Sequence, residues 1–187
     1  MKERSGFGTY VRIALTLCII TALVGALLAG VNLLTADRIE ENNRKAVNEA
    51  VASIFGECST DEISFSDDTG LVKSVYAVEK AADFAGFCVY VSSNGYGGAA
   101  EFMVGIGTDG KVSGISVVSH SETPNIGTKV FDDPEYLSGY EGLSGTLSFG
   151  NGVDAIAGAT RSSTALLNGV NAALALGLSQ DDYPSVS

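Results

Sequence analysis

The sequence is short of basic residues, cysteine and histidine, and each shortage excludes a class of function. Its 187 residues include 11 Lys and Arg against 22 Asp and Glu, a negative balance that would repel nucleic acid. The three cysteines lack the spacing of a metal motif. The single histidine, His120, lies between Ser119 and Ser121, but no nucleophile elbow is present. We therefore expect neither a metal centre nor a hydrolase triad, and no nucleic acid partner.

Long apolar runs are also absent, except for one near the N-terminus. Residues 13–34 carry no charge, and such a run of 22 residues is long enough to cross a hydrocarbon core of about 30 Å. A cleaved signal peptide is the alternative, since Lys2, Arg4 and Arg12 would make its basic region. The apolar run is longer than such peptides have, so we expect an uncleaved transmembrane helix in contact with membrane lipid.

The charges on either side of this helix predict its orientation. Three basic residues and only one acid, Glu3, precede it, which places residues 1–12 in the cytoplasm by the positive-inside rule. The remainder has eight basic and 21 acidic residues, a net charge of −13. We expect a single-pass cell-membrane protein with its main domain outside the cytoplasm. A disulfide between Cys58 and Cys88 would be possible there in an oxidising compartment, and the spacing leaves it open.

The rest of the chain predicts an α+β fold. Apolar residues at helical spacing indicate a stalk helix within residues 35–56, with Gly56 placed to end it. Residues 57–187 then form one extracytoplasmic domain. Short β-rich runs and the turn pairs Asn94-Gly95 and Asp109-Gly110 predict an antiparallel sheet with packed helices. The predicted strands cover residues 71–78, 86–92, 101–106 and 112–118, and the last predicted helix covers residues 162–178.

A loop-rich stretch follows His120, and it is too long for an ordinary connection unless it covers a site. Tyr136 and Tyr140 within it are expected either to contact a ligand or to cover the core. Its acidic residues Asp132, Asp133 and Glu135 lack the spacing of a calcium loop. Upstream, residues 105–111 imitate a phosphate-binding loop but lack its final Ser or Thr and lie between two predicted strands. No catalytic residue is predicted.

The most informative segment is residues 154–163, Asp-Ala-Ile-Ala-Gly-Ala-Thr-Arg-Ser-Ser, directly before the last predicted helix. Free N–H groups and the dipole at a helix N-terminus favour an anion such as phosphate. Gly158 and Ala159 would let the backbone approach it closely. From the residues alone, N-capping of the helix by Thr160 or Ser162 is the commoner explanation.

The same segment resembles the flavinylation motif of FMN-binding-domain proteins, Asp-x-x-[Ser/Thr]-Gly-Ala-Thr. The resemblance implies that FMN is attached covalently to Thr160 through a phosphoester. A flavin transferase that uses FAD and a divalent cation would make the bond, and Asp154 matches the acidic residue that serves this modification. Ala157 departs from the usual Ser or Thr, whereas Ser162 and Ser163 match the hydroxyl residues that follow.

Residues 120–129 resemble the His-x-Glu-Thr-Pro-Gly-Leu-Gly stretch of Rnf G and Nqr C subunits. The resemblance implies that this loop lies beside the flavin. Asn125 stands in place of a glycine and tolerates a positive φ, so the turn is expected to persist. The implied flavin contacts are Glu122, Thr123, Ile126 and Gly127.

Residues 95–98 resemble the Gly-Tyr-x-Gly hairpin of the same family. Here Tyr96 is either a flavin contact or part of a plain β-turn, and both readings stay open. The three matches occur in the family's order and, with the anchor, indicate the G subunit of an Rnf-type electron-transport complex.

This resemblance implies an electron-relay subunit of an oxidoreductase and translocase. The whole complex would couple electron transfer between ferredoxin and NAD to translocation of sodium ions or protons, and the other Rnf subunits would be the partners. The alternatives are the C subunit of a sodium-translocating NADH:quinone oxidoreductase and a stand-alone extracytoplasmic flavoprotein. A pilin-like structural module is a further alternative, but Val11 stands where its glutamate is required.

Overall fold

The computed structural model describes residues 5–81 and 83–178, and it begins with one long helix. This helix, α1, runs from Ser5 to Phe55 and is followed by Gly56, whose φ of 80° ends it. Within it, Tyr10–Asn32 has a mean hydropathy of 2.5 and is long and apolar enough to cross a membrane. The chain divides into two compact units between Lys45 and Ala46, so the last turns of α1 belong to the second unit.

The second unit is built on a five-stranded antiparallel sheet in which every strand pairs with the next along the chain. The predicted antiparallel sheet is confirmed. The first strand was missed because its sequence, Ser-Thr-Asp-Glu-Ile, is polar and mostly exposed at the edge of the sheet. The strands are β1 (Ser59–Ile63), β2 (Val72–Lys80), β3 (Asp83–Asn94), β4 (Ala99–Gly107) and β5 (Val112–His120).

Both predicted hairpins join strands where expected. In the β3–β4 hairpin the Gly95 N–H donates to the carbonyl of Gly98 at 2.8 Å. In the β4–β5 hairpin the Gly107 N–H donates to the carbonyl of Lys111 at 2.8 Å, and Gly110 has a φ of 73°. A left-handed residue at this position is what the Asp-Gly pair predicts.

The stretch after β5 is not a plain loop, because it contains four short elements. These are α2 (Thr128–Phe131), α3 (Pro134–Ser138), β6 (Ser148–Phe149) and β7 (Gly152–Val153). The Asp133 carboxylate caps α3 by accepting from the N–H groups of Glu135 at 3.0 Å and Tyr136 at 3.4 Å. The stretch is therefore held in one conformation by local hydrogen bonds and short helices.

The last helix, α4, covers Thr160–Ala175 instead of the predicted residues 162–178. It begins earlier because Thr160 and Arg161 take up helical positions, and it ends earlier because Gly177 has a φ of 59°. Asn171 on this helix exchanges two hydrogen bonds with the backbone of Leu147, at 2.8 and 2.9 Å. The segment before β6 is thereby tied to α4.

Helices cover both faces of the sheet, and glycines allow each to approach closely. α4 packs on one face, where a Cβ on Gly169 would overlap the ring of Phe102. The end of α1 packs on the other face, where a Cβ on Gly105 would lie 2.6 Å from Ile54 Cγ2. Gly105, which began the imitation of a phosphate-binding loop, is thus a packing position. Cys58 and Cys88 are free thiols on this second face.

Candidate functional site

The 154–160 turn, meaning residues 154 to 160, is closed by hydrogen bonds to itself and to α4. The Ala159 N–H donates to the carbonyl of Ile156 at 2.9 Å, and the Ile156 N–H donates to Ser163 Oγ at 3.1 Å. Gly158 has a φ of 80° and open space where a Cβ would lie. Ala157 is exposed, so the Ser or Thr of the motif that this segment resembles would face solvent there. The turn is therefore held to α4 by these hydrogen bonds and has open space at Gly158.

Thr160 is exposed at the first position of α4, and it does not cap the helix. The N-cap residue is Ala159, and no side chain accepts a hydrogen bond from the first turn. Within the described part of the chain, the N–H groups of Thr160, Arg161 and Ser162 have no acceptor. The capping explanation is therefore wrong for both Thr160 and Ser162. Three free donors and the positive end of a 16-residue helix are therefore found where Thr160 lies.

Ser162 and Ser163 are both completely buried, but they differ in bonding. Ser163 Oγ accepts from Ile156 and so belongs to the turn. Ser162 Oγ has no hydrogen-bond partner among the described residues, and a Cβ on Gly127 would lie 2.7 Å from it. A buried hydroxyl without a partner is uncommon in folded proteins, and Tyr140 has the only other one among the described residues. The contact with Gly127 also brings the start of α4 next to the loop that follows β5.

Glu122 joins that loop to the β3–β4 hairpin. Its side chain is only 7 % exposed, and its two carboxylate oxygens accept from the N–H groups of Tyr96 and Gly97, each at 3.0 Å. A Cβ on Gly95 or Gly127 would overlap the carboxylate. We call this arrangement the Glu122 lock. It gives Glu122 a positioning role, because its oxygens are already used by two backbone donors.

The remaining predicted contacts lie around the Glu122 lock. Tyr96 is 61 % exposed and Ile126 is 38 % exposed, so both offer apolar surface at the rim of the site. The carbonyl of Thr123 accepts from the Ile126 N–H at 3.1 Å and closes the turn between them. Asn125 has a φ of 62°, which confirms that it takes the conformation expected of the glycine it replaces.

A cleft of about 620 Å³ opens beside the 154–160 turn. Its volume lies within the range of about 300–1,000 Å³ that small-molecule sites have. Ile156 contributes to its wall, so the cleft borders the turn that ends at Thr160. Of its lining, the sequence predicted only Tyr136 as a possible ligand contact, and Asp132, Asp133 and Glu135 were not assigned to a site. Most of the lining comes from α2, α3 and the residues between them. The lining includes Lys129, Asp132, Asp133, Glu135, Tyr136 and Ile156.

The two tyrosines of this stretch have different roles. Tyr140 is 1 % exposed and belongs to the core, where burial raises the pKa of its hydroxyl. Tyr136 lines the cleft, and its hydroxyl donates to the carbonyl of Asp154 at 2.8 Å. The bond fixes the beginning of the 154–160 turn and leaves the Asp154 side chain exposed.

His120 contacts Asp132, one of the residues that line the cleft. Its Nε2 lies 2.8 Å from Asp132 Oδ1, and its Nδ1 accepts from the Glu122 N–H at 3.4 Å. The ring also stacks on Phe131, with centroids 5.8 Å apart. Since Nδ1 accepts, the arrangement places a proton on Nε2, where it is donated to Asp132. Asp132 is thus one half of a pair with histidine.

The comparisons with known proteins fall on the same regions. Residues 1–54 match the RnfG N-terminal region, and residues 95–175 match the FMN-binding domain. Over 181 residues the chain is 30 % identical to the G subunit of the Na⁺-translocating ferredoxin:NAD⁺ oxidoreductase complex of Acetobacterium woodii, covering 86 % of this chain and 87 % of the relative. Over 112 residues it is 34 % identical to the G subunit of the proton-translocating ferredoxin:NAD⁺ oxidoreductase complex of Clostridium ljungdahlii, covering 54 % and 58 %.

Among solved structures, NqrC of Shewanella oneidensis matches with a TM-score of 0.44 and 24 % identity, covering 52 % of this chain and 53 % of that one. This likeness is too low to carry an argument.

The α+β unit, its open helix N-terminus and the matched domain define a flavoprotein of the FMN-binding-domain class. Within that class, the chain belongs to the family of G subunits of Rnf ion-translocating oxidoreductase complexes. The family resemblance drawn from the three motifs is confirmed, and the pilin-like alternative was wrong. Every predicted site residue lies within the segment that matches the FMN-binding domain.

Proposed function

We propose that this chain is the electron-relay subunit of a membrane complex that couples ferredoxin:NAD electron transfer to ion translocation, and that it carries FMN covalently on Thr160. The observation that carries the proposal is the state of Thr160. The residue is exposed, does not cap the helix, and lies at a helix N-terminus that follows the turn whose Ile156 lines a cleft of about 620 Å³.

The residues around Thr160 fit a phosphate ester. The uncapped N–H groups of the first turn of α4 are free to bind an anion, and the helix dipole adds about half a positive charge. Arg161 is exposed next to Thr160 and adds a full positive charge to a chain whose net charge is −11. Gly158 leaves the space above the turn empty. Ser162 Oγ is a further donor without a partner among the described residues.

The flavin ring would supply reversible electron transfer when bound, while the protein holds, orients and tunes it. Attachment would proceed from FAD, with a bond forming between Thr160 Oγ1 and the FMN phosphorus as the bond to AMP breaks. The exposed Asp154 carboxylate is available to the flavin transferase that carries out this step. A covalent bond would retain the flavin outside the cytoplasm, where lost cofactor is not replaced.

The apolar segment Tyr10–Asn32 would anchor the subunit to the cell membrane, with residues 1–12 in the cytoplasm and lipid around the helix. The other Rnf subunits would be its partners. Relatives of this chain are named as subunits of both sodium-translocating and proton-translocating complexes. A relay that serves either ion is consistent with an ion path that lies in other subunits.

The test is to produce the full chain together with its flavin transferase and to measure flavin fluorescence in a denaturing gel. The wild-type band should fluoresce, Thr160→Ala should not, and Thr160→Ser should retain the signal. Thr164→Ala is the matched control, because it removes a hydroxyl one turn further along the same helix. An intact mass should show one FMN-sized increment on the peptide that holds Thr160. A fluorescent Thr160→Ala band would contradict the proposal.

A further inference from the structure

The cleft beside the 154–160 turn has an acidic wall with one exception. Three of its lining residues are carboxylates, Asp132, Asp133 and Glu135, and Lys129 is the one basic residue among those that line it. This imbalance follows the whole chain, which carries 22 acidic and 11 basic residues. The potential in the cleft is the sum of these charges, and Lys129 is the one lining residue that makes it more positive.

Two of these carboxylates already have hydrogen-bond partners other than Lys129. Asp132 lies 2.8 Å from His120 Nε2, and Asp133 caps α3. Lys129 itself is exposed at the cleft and makes no ion pair with any residue in the described part of the chain. Its backbone is fixed, because Val130 and Phe131 beside it in α2 are buried in the core. The ammonium group is therefore left for a ligand.

The position of the cleft connects Lys129 to Thr160. Ile156 lines the cleft and belongs to the 154–160 turn, where Ser163 Oγ holds its N–H at 3.1 Å. A second cleft borders the same turn near Asp154, but its volume is only about 200 Å³. That is below the range of about 300–1,000 Å³ found for small-molecule sites. A flavin tethered at Thr160 thus has an adjoining cleft large enough for its ring, and Lys129 lines it.

We propose that Lys129 raises the redox potential of the flavin by stabilising the negative charge of its reduced ring. The inference rests on the proposed function, since it requires FMN on Thr160. Reduction places negative charge over N1 and the C2 carbonyl oxygen of the isoalloxazine, whereas the oxidised ring is neutral. A nearby ammonium group stabilises the reduced form more than the oxidised form. A ring bound against Lys129 would displace water between the two charges, and a partly buried pair is screened less than an exposed one.

The experiment is a reductive titration of the full flavin-loaded chain, with dithionite as reductant and flavin absorbance as the signal. Lys129→Met keeps the length of the side chain and removes the charge, so its midpoint potential should be lower than that of the wild type. Lys129→Arg keeps the charge and should stay near the wild type. Lys73→Met is the matched control, because it makes the same change of net charge at an exposed position on β2 and should cause no shift.

The outcomes separate this inference from the proposed function. If the wild-type protein shows no covalent flavin fluorescence, the proposed function fails. If Lys129→Met carries fluorescent flavin and titrates at the wild-type potential, only the role of Lys129 is overturned. A shift in Lys73→Met as large as that in Lys129→Met would overturn it too. Should Lys129→Met accumulate poorly, Lys129→Gln provides the same comparison with a polar side chain and the same expected direction.

Discussion

Two connections of the second unit are closed by a carboxylate that accepts backbone N–H groups, and they differ in reach and burial. After β1, Asp67 accepts from Thr69 and Val72, which lie two and five residues further along. After β5, Glu122 accepts from Tyr96 and Gly97, which lie 26 and 25 residues earlier. Asp67 shapes its own loop at the surface, whereas the Glu122 lock ties two distant loops together beneath the site.

The difference explains why only one of the two connections belongs to the candidate functional site. A local turn needs nothing from the rest of the domain and leaves no space between elements. The Glu122 lock brings the β3–β4 hairpin, the loop after β5 and, through Gly127, the start of α4 to one place. The unpartnered hydroxyl of Ser162 and the exposed hydroxyl of Thr160 lie in this arrangement.

The largest effect is expected from breaking the Glu122 lock. Glu122→Ala would remove the carboxylate acceptor of the N–H groups of Tyr96 and Gly97, and a hydrogen bond to a charged group contributes about 1.5–3 kcal/mol. The midpoint of urea unfolding of the full chain in detergent should fall accordingly. Flavin fluorescence at Thr160 should fall with it, because the loop beside α4 loses its support.

Glu141→Ala is the control for that change, since Glu141 is an exposed carboxylate outside the cleft lining. A double-mutant cycle sharpens the test. Gly127→Ala alone should destabilise the domain, because the added Cβ overlaps the Glu122 carboxylate, and Glu122→Ala should relieve part of that cost. Strict additivity of the two changes would contradict the contact on which the lock depends.

The same contrast separates what the sequence could predict from what it could not. Alternating apolar residues and the turn pairs Asn94-Gly95 and Asp109-Gly110 were enough for four strands and both hairpins, because these depend on neighbours along the chain. β1 was missed, since its polar edge sequence lacks an inward-facing pattern. Glu122 was identified through family resemblance, and its partners 25 and 26 residues away have no local signal.

The cleft was the least predictable part. Its wall is formed by α2 and α3, which are too short to show a periodic pattern, so this stretch was expected to be a loop. Lys129 was passed over for that reason, because nothing local distinguishes a lysine that lines a cleft from one on a surface. Thr160 could be singled out only from the motif, and the structure then removed the capping alternative.

A smaller effect is expected from the two buried serines at the start of α4. Ser163→Ala removes the acceptor of the Ile156 N–H and should cost about 1 kcal/mol. Ser162→Ala removes a hydroxyl that has no partner among the described residues, so the flavin-free protein should change by less than about 0.5 kcal/mol. Thermal unfolding of both variants without flavin measures the difference. Equal losses would show that Ser162 has a bond of its own.

The smallest effect is expected at Asp67, which accepts backbone N–H groups within its own loop. Its contribution to stability can be followed as a function of pH. Partial burial opposes ionisation there, but hydrogen bonds from the Thr69 hydroxyl and from the backbone N–H groups of Val72 and Thr69 lower the pKa of Asp67 below its ordinary value. A carboxyl whose pKa is lower in the folded state stabilises the protein above its unfolded-state pKa of about 3.9. That contribution is lost as the pH falls through the folded-state pKa.

Asp67→Asn should therefore unfold at a slightly lower temperature than the wild type near neutral pH. The carboxylate accepts from Thr69 through Oδ1 and from Val72 through Oδ2, whereas an amide has a single acceptor oxygen. The difference in unfolding temperature should close as the pH is lowered past the ordinary range of aspartate, since the wild-type carboxyl is then protonated and uncharged, like the amide. Asp68→Asn, one residue further along the exposed loop, removes the same charge and should show no such convergence. A gap that stays constant across the acidic range would mean that Asp67 acts through its shape alone. Asp67 would then resemble Glu122 in the geometry of its hydrogen bonds, but its ionisation would not contribute to stability.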